Sequence, residues 1–368
     1  MNLEDFGPRH GEFYVPACTV LVGGRDLVRE LNLAVTRVEC GLKERAASDF
    51  SITVASAFDW EQREFLAKPD SERVDLIDLF AFGAPVEVRI GYGEPSRLGT
   101  LLIGTVTRIG TSFTESGTPE LTVAGFDNLY PLTIGKQTRH WEDERDSDVV
   151  ADIAGRNNLT PDVADTGEPR PRTEQSQQSD FEFLGKLAER NGMIFYVRGT
   201  TLYFGPRHNR DAPEVALVWG GGLASFSPSA NIAKQVTRVE VCGRTEAGEE
   251  VTGVAERGDE SDDEVRRESG SGHVAQALGR EAVLRIRAAV RSQAEATARA
   301  RAILEERAQD LVTGDGECVG LPEIVPDSNI AISGTSRAFA KTYYVTEATH
   351  SLDSEGYRTR FSVREMLV

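Results

Sequence analysis

The residues that could do chemistry in this chain are few and scattered. His140 stands beside Trp141 and ahead of Glu142, Asp143 and Glu144, where an imidazole and a carboxylate could share a proton as a general base. That role needs a buried, perturbed group, and a run of three acids reads instead as a solvated connector between domains. Gly220-Gly221-Gly222 after Trp219 could present backbone donors to an anion, but no helix start follows at once, so a turn is expected. Gly91-Tyr92-Gly93 is too short for a phosphate cradle and sits at a strand end. Cys18, Cys40, Cys242 and Cys318 form no CxxC pair and have no histidine at ligand spacing. Free thiols in a cytosolic chain are therefore expected, rather than zinc. His10, His208 and His273 lie in polar or Pro/Gly-rich stretches, and His350 reads as a strand residue.

GxSxG, P-loop, HExxH and GxGxxG motifs are absent from the sequence. With 59 Asp and Glu residues, no single carboxylate pair is informative. A glycosidase would set such a pair across one cleft, usually with aromatic platforms. Trp60, Trp141 and Trp219 are not clustered in sequence. No catalytic, cofactor-binding or metal-ligating residue is singled out, and no cofactor is expected. A net charge of −18 would repel nucleic-acid phosphates, so no nucleic-acid site is expected. The longest apolar runs are a few residues, so no membrane insertion is expected, and Met1-Asn2-Leu3-Glu4-Asp5 is no signal peptide.

The elements that must position any site are mostly strands. Pro16–Val22, Ser51–Val54, Val86–Tyr92 and Glu120–Phe126 read as strands of one barrel or sandwich, with Asp75–Gly83 as an apolar link. The period then becomes helical. Val149, Val150, Ile153 and Ala154 share one face; Ser179 and Glu182 form a capping box ahead of a stripe of Phe181, Leu184, Leu187 and Ala188 that stops at Gly192. Ile194–Val197 and Thr201–Phe204 read as a hairpin, and Asp165–Gln178 as a loop. Strands resume at Gln235–Val241, residues 256–271 read as a mobile acidic loop, and Ser292-Gln293-Ala294-Glu295 is a second capping box. It opens an Ala-rich helix burying Ala296, Ala300, Leu304, Ala308 and Leu311, and strands near Ile330, Tyr343–His350 and Tyr357–Arg364 close the chain.

Two of these stretches share a plan. Val106–Gly117 lies on Val345–Gly356 without a gap, with Val, Thr, Ser and Gly in register and Phe113 answering Leu352. Each reads as a hairpin whose turn ends in a glycine that tolerates positive φ. A duplicated β-domain follows, and the expected fold is α+β, mainly β: two similar tandem β-barrels with inserted small α+β segments. The expected map is a first barrel at 1–135, an α+β insertion at 136–212, and a second barrel from 213–250 and 325–368. Residues 251–324 would be an insertion carrying the acidic loop and the Ala-rich helix.

The stretch Ser179-Asp180-Phe181-Glu182-Phe183-Leu184-Gly185-Lys186-Leu187-Ala188-Glu189-Arg190-Asn191-Gly192, followed by Ile194–Val197, resembles the phage late-control protein D family. That family includes baseplate hubs of contractile tails and is similar to the N-terminal part of type VI valine-glycine-repeat spike proteins. Phe82-Gly83, Gly104–Thr107, the helix from Ser292 and the ending Gly356–Phe361 support it. The resemblance implies a non-enzymatic structural hub: a homotrimer whose six tube-ring barrels adapt a hexameric tail tube protein to a trimeric spike protein. The chain stops after its closing strand, which implies a separate spike. Baseplate wedge and tape-measure proteins are further implied contacts. It also implies assembly in the bacterial cytoplasm and a place in the baseplate of a phage or phage-tail-like particle. The alternatives are a tail-associated hydrolase of peptidoglycan or peptide, or an unrelated soluble binding module.

Overall fold

Alternating apolar and polar residues, each side chain facing opposite its neighbour, build twelve strands into the frame of this protein. The computed structural model describes residues 15–69, 72–115, 117–245, 248–256 and 269–367. Six frame strands come first: β1 (Pro16–Val22), β2 (Ala34–Lys43), β3 (Asp49–Ala55), β4 (Pro85–Tyr92), β5 (Thr100–Ser112) and β6 (Glu120–Asp127). Six more follow: β7 (Val215–Trp219), β8 (Gly222–Ala230), β9 (Val312–Val319), β10 (Asn329–Ser333), β11 (Thr342–Asp353) and β12 (Gly356–Glu365). Pairing runs β1-β4-β5-β6-β3-β2 in the first set and β7-β10-β11-β12-β9-β8 in the second. The order is the same, strand for strand. The second set closes on itself because β7 meets β8 at Val218–Gly222 and Trp219–Leu223. In the first no pairing joins β1 to β2 among the described residues, and β1–β4 is antiparallel where β7–β10 is parallel.

The repeat extends to individual residues. A β-bulge places Thr107 between Val106 and Arg108 opposite Gly125 and Ala124, and another places Thr346 between Val345 and Glu347 opposite Val363 and Ser362. A second bulge sits at Thr36 in β2 and recurs at Ala224 in β8. Bulges fix register, since the extra residue can pair in only one place. The turns differ. β11 and β12 are joined by Ser354-Glu355 alone, with Gly356 at φ +110°, whereas β5 and β6 are separated by residues 113–119. Gly117 lies inside that longer loop without a positive φ, so the expected match of Gly117 to Gly356 as turn-ending glycines fails although the strands match.

Each strand set wraps its own core. Val20, Ile52, Val88 and Val123 are among the residues filling the first; Leu217, Ile330, Tyr343, Val345 and Phe361 are among those filling the second. Between β6 and β7, helices α1 (Asp146–Arg156) and α2 (Asp180–Asn191) pack with Trp141, Leu202 and Phe204. The Ser179 box forms as expected, with Glu182 N–H donating to Ser179 Oγ at 3.1 Å and Ser179 N–H to Glu182 Oε2 at 2.9 Å. Gly192 caps the end at φ +64°. Helix α3 (Gln293–Gln309) lays Ala296 and Ala300 on the sheet of Arg238–Arg244, Glu250–Glu256 and Val283–Arg287. There a Cβ on Gly253 would fall within 2.0–2.3 Å of the Ala296–Thr297 backbone, so only glycine fits.

Several expectations are corrected. Asp165–Gln178 is not all loop: Arg170–Gln178 pairs antiparallel with Gln137–Glu144, so the supposed acidic connector is a strand too. Only Thr173 and Gln175 of Arg170–Gln178 are buried, which leaves no apolar alternation to read. Arg238–Arg244 belongs to the small sheet rather than to the second barrel, and β9, placed in an insertion, is a barrel strand between β8 and β12. In α2, Phe183 is buried where Phe181 was expected; Phe181 is half-buried. The second capping box is half made: Ser292 Oγ accepts from Glu295, but Glu295 accepts from Arg291 N–H. Asp75–Gly83 contains a helical turn, Leu76–Leu79, capped by Asp75. Most of the expected 256–271 loop lies outside the described residues, while Ser269 and Ser271 are buried at the start of the helix Gly270–Leu278.

Two outcomes test this architecture. Phe361→Ala should destabilise the protein by about 3–5 kcal/mol, as truncation of a buried aromatic does, read as a lower urea midpoint. His350 is fully buried, and burial pulls its pKa from 6.5 down to about 4. Between those values the unfolded chain binds more protons than the folded one, so stability is complete above pH 6.5 and falls toward pH 4, by about 3 kcal/mol. Asp127, raised by burial to about 6, acts in the opposite direction. Replacing His350 with Gln should therefore flatten the acid-side loss relative to wild type in urea titrations at pH 7 and 4.5. Parallel pH profiles for the two proteins would contradict the buried-histidine assignment.

Candidate functional site: the joint between the barrels

The two barrels share a backbone seam. β11 keeps β12 along one edge, while its other edge serves two neighbours in turn. Thr342–Tyr344 pairs with β10; beyond the bulge at Thr346, Glu347–Leu352 pairs with β2, from Glu347–Lys43 to Leu352–Val38. Glu44 N–H donates to Thr346 O at 3.3 Å and fixes which residues face across. Eight strands, β5-β6-β3-β2-β11-β12-β9-β8, thus form one continuous antiparallel surface through both barrels. Within the seam His350 is held by the Tyr357 hydroxyl at 2.9 Å, Thr359 Oγ1 at 3.1 Å and Ile324 O at 3.0 Å. It is a neutral core residue, as its strand position suggested.

Beneath the seam lies a charged knot. Glu44, at 4% exposure, meets Arg207 at 3.2 Å and Arg364 at 3.7 Å, and Tyr344 Oη donates toward it at 3.2 Å. Glu306 of α3 binds Arg45 at 2.5 Å, Arg207 at 2.9 Å and Arg364 at 3.2 Å. Burial raises the Glu306 pKa, but the three guanidiniums outweigh it and hold the carboxyl below its usual range. Asp327 is a second node, accepting from Tyr344, Tyr196 and the His208 backbone at 3.0, 3.1 and 2.9 Å, with His208 Nδ1 at 2.6 Å. These groups tie the first barrel, the insertion, α3 and the second barrel together.

Among the described residues the sequence candidates for chemistry do not converge, and His10 lies outside those residues. His140 is exposed and 3.9 Å from Glu142; Trp141 is buried on Phe183, donating to Asp152 at 2.9 Å. Trp60 and Trp219 are exposed, and Gly220–Gly222 is the turn that closes the second barrel. Among the described residues no group of three or more His, Cys, Asp or Glu could hold a metal. The His208–Asp327 pair was invisible in sequence, although Asp327 advertises itself structurally by a φ of +63°. A groove of about 870 Å³ runs between α2 and α3, lined by Phe181, Met193, Phe195 and Ile303. Of its charged residues, Arg45 and Arg207 are bound to Glu306, while Glu182, Glu189, Arg210, Glu305, Arg307 and Asp310 also line it.

The outer face of the eight-strand surface is polar and shallow. It carries Ser51, Thr53, Gly110, Ser227, Thr313, Thr349 and Ser362, with charges largely paired: Arg37–Glu39, Lys43–Asp49, and Arg358 and Arg360 on Glu317. Seven carboxylates (Glu39, Asp49, Glu120, Asp315, Glu317, Glu347, Asp353) face five cations (Arg37, Lys43, Arg108, Arg358, Arg360). Replacing Glu44 with Ala should cost about 3–5 kcal/mol, because Arg207 and Arg364 lose one of two buried carboxylates and are left sharing Glu306. The check is urea unfolding; a loss under about 1 kcal/mol would mean the knot is no more than surface pairing.

No helix among the described residues is long and apolar enough to cross a membrane. The fold matches the 43 kDa tail protein of prophage MuSo2 from Shewanella oneidensis, with a TM-score of 0.70 and 15% identity, covering 95% of this chain and 98% of that one. It matches the tail protein of Neisseria meningitidis MC58 at 0.69 and 13%, covering 96% and 97%. It also matches the E. coli c3393 protein, a component of the type VI secretion system, at 0.56 and 11%, covering 94% and 76%. A probable baseplate hub protein of Escherichia phage 186 is 41% identical over 71 residues, a stretch spanning 19% of this chain and 18% of that relative. The resemblance to tail and hub proteins read from the α2 region thus holds for the fold. The Alg8 N-terminal domain model matches residues 59–354, and the chain belongs to that family.

Proposed function

We propose that this chain is the structural hub subunit of a contractile phage tail or phage-tail-like injection system. Three copies form a ring of six barrels, which meets a hexameric tail tube protein on one side and a trimeric spike protein on the other. The observation that carries this reading is the repeat itself: one strand order and one set of bulges, twice in a chain. An interface must repeat with the symmetry that generates it, so two equivalent barrels per chain let three chains present six-fold contacts. The polar outer face, with short side chains and a slight excess of carboxylates, suits the wall of a water-filled channel and would repel acidic cargo. Assembly would occur in the bacterial cytoplasm, with the ring ending in the baseplate beside wedge and tape-measure proteins.

Concentrated protein, alone or with its spike, should show a native mass of three times 40.2 kDa. A closed dimer or another even-numbered ring would contradict the hub. The same preparation should leave peptidoglycan and peptides intact; turnover lost on changing one carboxylate or histidine would establish an enzyme instead.

A further inference from the structure

The small sheet under α3 has one bare edge. Its strand Val283–Arg287 pairs with Arg238–Arg244 on one side and with no strand on the other among the described residues. Ala282 O accepts from Thr237 N–H at 2.9 Å, and Ala288 N–H donates to Cys242 O at 3.0 Å, so the even-numbered residues turn their backbone groups into the sheet. By alternation the N–H and C=O groups of Val283, Arg285 and Arg287 point outward. Helix α3 packs mainly on the other two strands. The edge carries no proline and no bulge, which leaves charge as its one guard against pairing.

The two faces of this edge differ. On the solvent face Val283, Arg285 and Arg287 are exposed. Arg285 binds Glu240 at 2.6 Å, while Arg287 and the neighbouring Arg280 make no ion pair among the described residues. Glu281 is the one carboxylate on the strand's approach, so this is a basic edge in a chain of net charge −18. On the other face Leu284 and Ile286 are half-buried, and Ile286 joins Ile303 and Phe181 in lining the groove of about 870 Å³. Glu189 and Glu305 line that groove too, so it suits apolar side chains and repels carboxylates.

We infer that this edge is a docking site for an extended segment of another protein, one that alternates acidic and apolar residues and adds to the sheet as a further strand. The outward N–H and C=O groups supply the backbone ladder, and the side chains on either face select the partner. Acidic residues of the added strand meet Arg285 and Arg287, while its apolar residues cover Leu284 and Ile286 beside the groove. The same edge of a second copy is a poor occupant. Two such strands paired antiparallel about their centres set Arg285 against Arg285, and like charges directly opposite are destabilising. This sheet shares no strand with either barrel, so its edge takes a partner whether or not copies form a ring.

The test is fluorescence anisotropy of labelled peptides with the full chain. The probe is the alternating peptide Glu-Val-Glu-Ile-Glu-Val-Glu, its charge-reversed control Lys-Val-Lys-Ile-Lys-Val-Lys. The acidic peptide should bind, more tightly as salt is lowered, and the basic one should not. Val283→Pro removes one outward donor and leaves the ladder to Arg238–Arg244 intact, as prolines on the open side of an edge strand do. With circular dichroism unchanged, it should weaken binding about fivefold or more. Arg287→Glu should weaken it about threefold or more by charge alone. Equal binding of the two peptides, or no binding of the acidic one, would overturn the docking site. Undiminished binding to Val283→Pro would mean surface charge without strand addition and would overturn it as well. A peptide of residues 258–264 of this chain carries acids without apolar alternation. If it bound as tightly as the alternating probe, the edge would belong to the chain's own acidic segment and the partner would be overturned.

Discussion

One strand has to serve three neighbours with two edges. β11 solves this by length and by a bulge: twelve residues long, it turns at Thr346 so that its first part finishes the second barrel and its later part takes up β2. A backbone ladder tolerates no partial register, because a slip of one residue exchanges the buried and exposed faces. The orientation of one barrel against the other is thereby set by hydrogen bonds rather than by a flexible linker. The His350 contacts and the Tyr357 ring, which packs into the first barrel's core, follow from that seam.

The charged knot beneath the seam is costly in principle, since burying Glu44 and Arg364 forfeits their hydration. Its value is in specifying the joint. Each carboxylate there contacts arginines from different segments, so a displaced segment would leave an unpaired buried charge. Apolar residues alone would pack in many ways; this arrangement pairs in one. The carboxylates and guanidiniums of the knot hold the segments together.

The hairpin repeat was legible because Val, Thr and Ser hold equivalent strand positions, and the bulge at each Thr shows why those positions stay aligned. The capping box of α2 and its glycine stop were equally plain, being local signals. The full duplication was not, since β7 and β8 are joined by a short Gly-rich turn while insertions of different length separate β8, β9 and β10. β9 fell inside the expected 251–324 insertion: Thr313-Gly314-Asp315-Gly316 in its first half carries no apolar alternation, and it becomes a strand through β8 and β12. Glu44, Arg207, Glu306 and Arg364 meet across more than three hundred residues, so nothing local marks them as partners.

In a hub the two barrels of each chain occupy equivalent positions around one axis. Cryo-electron microscopy of the assembled protein with its spike tests it most directly. Six barrels at nearly equal angular spacing are expected, with the β11–β2 joints inside chains and one polar channel on the axis. Barrels at unequal radii or at unequal angular spacing would contradict the hub.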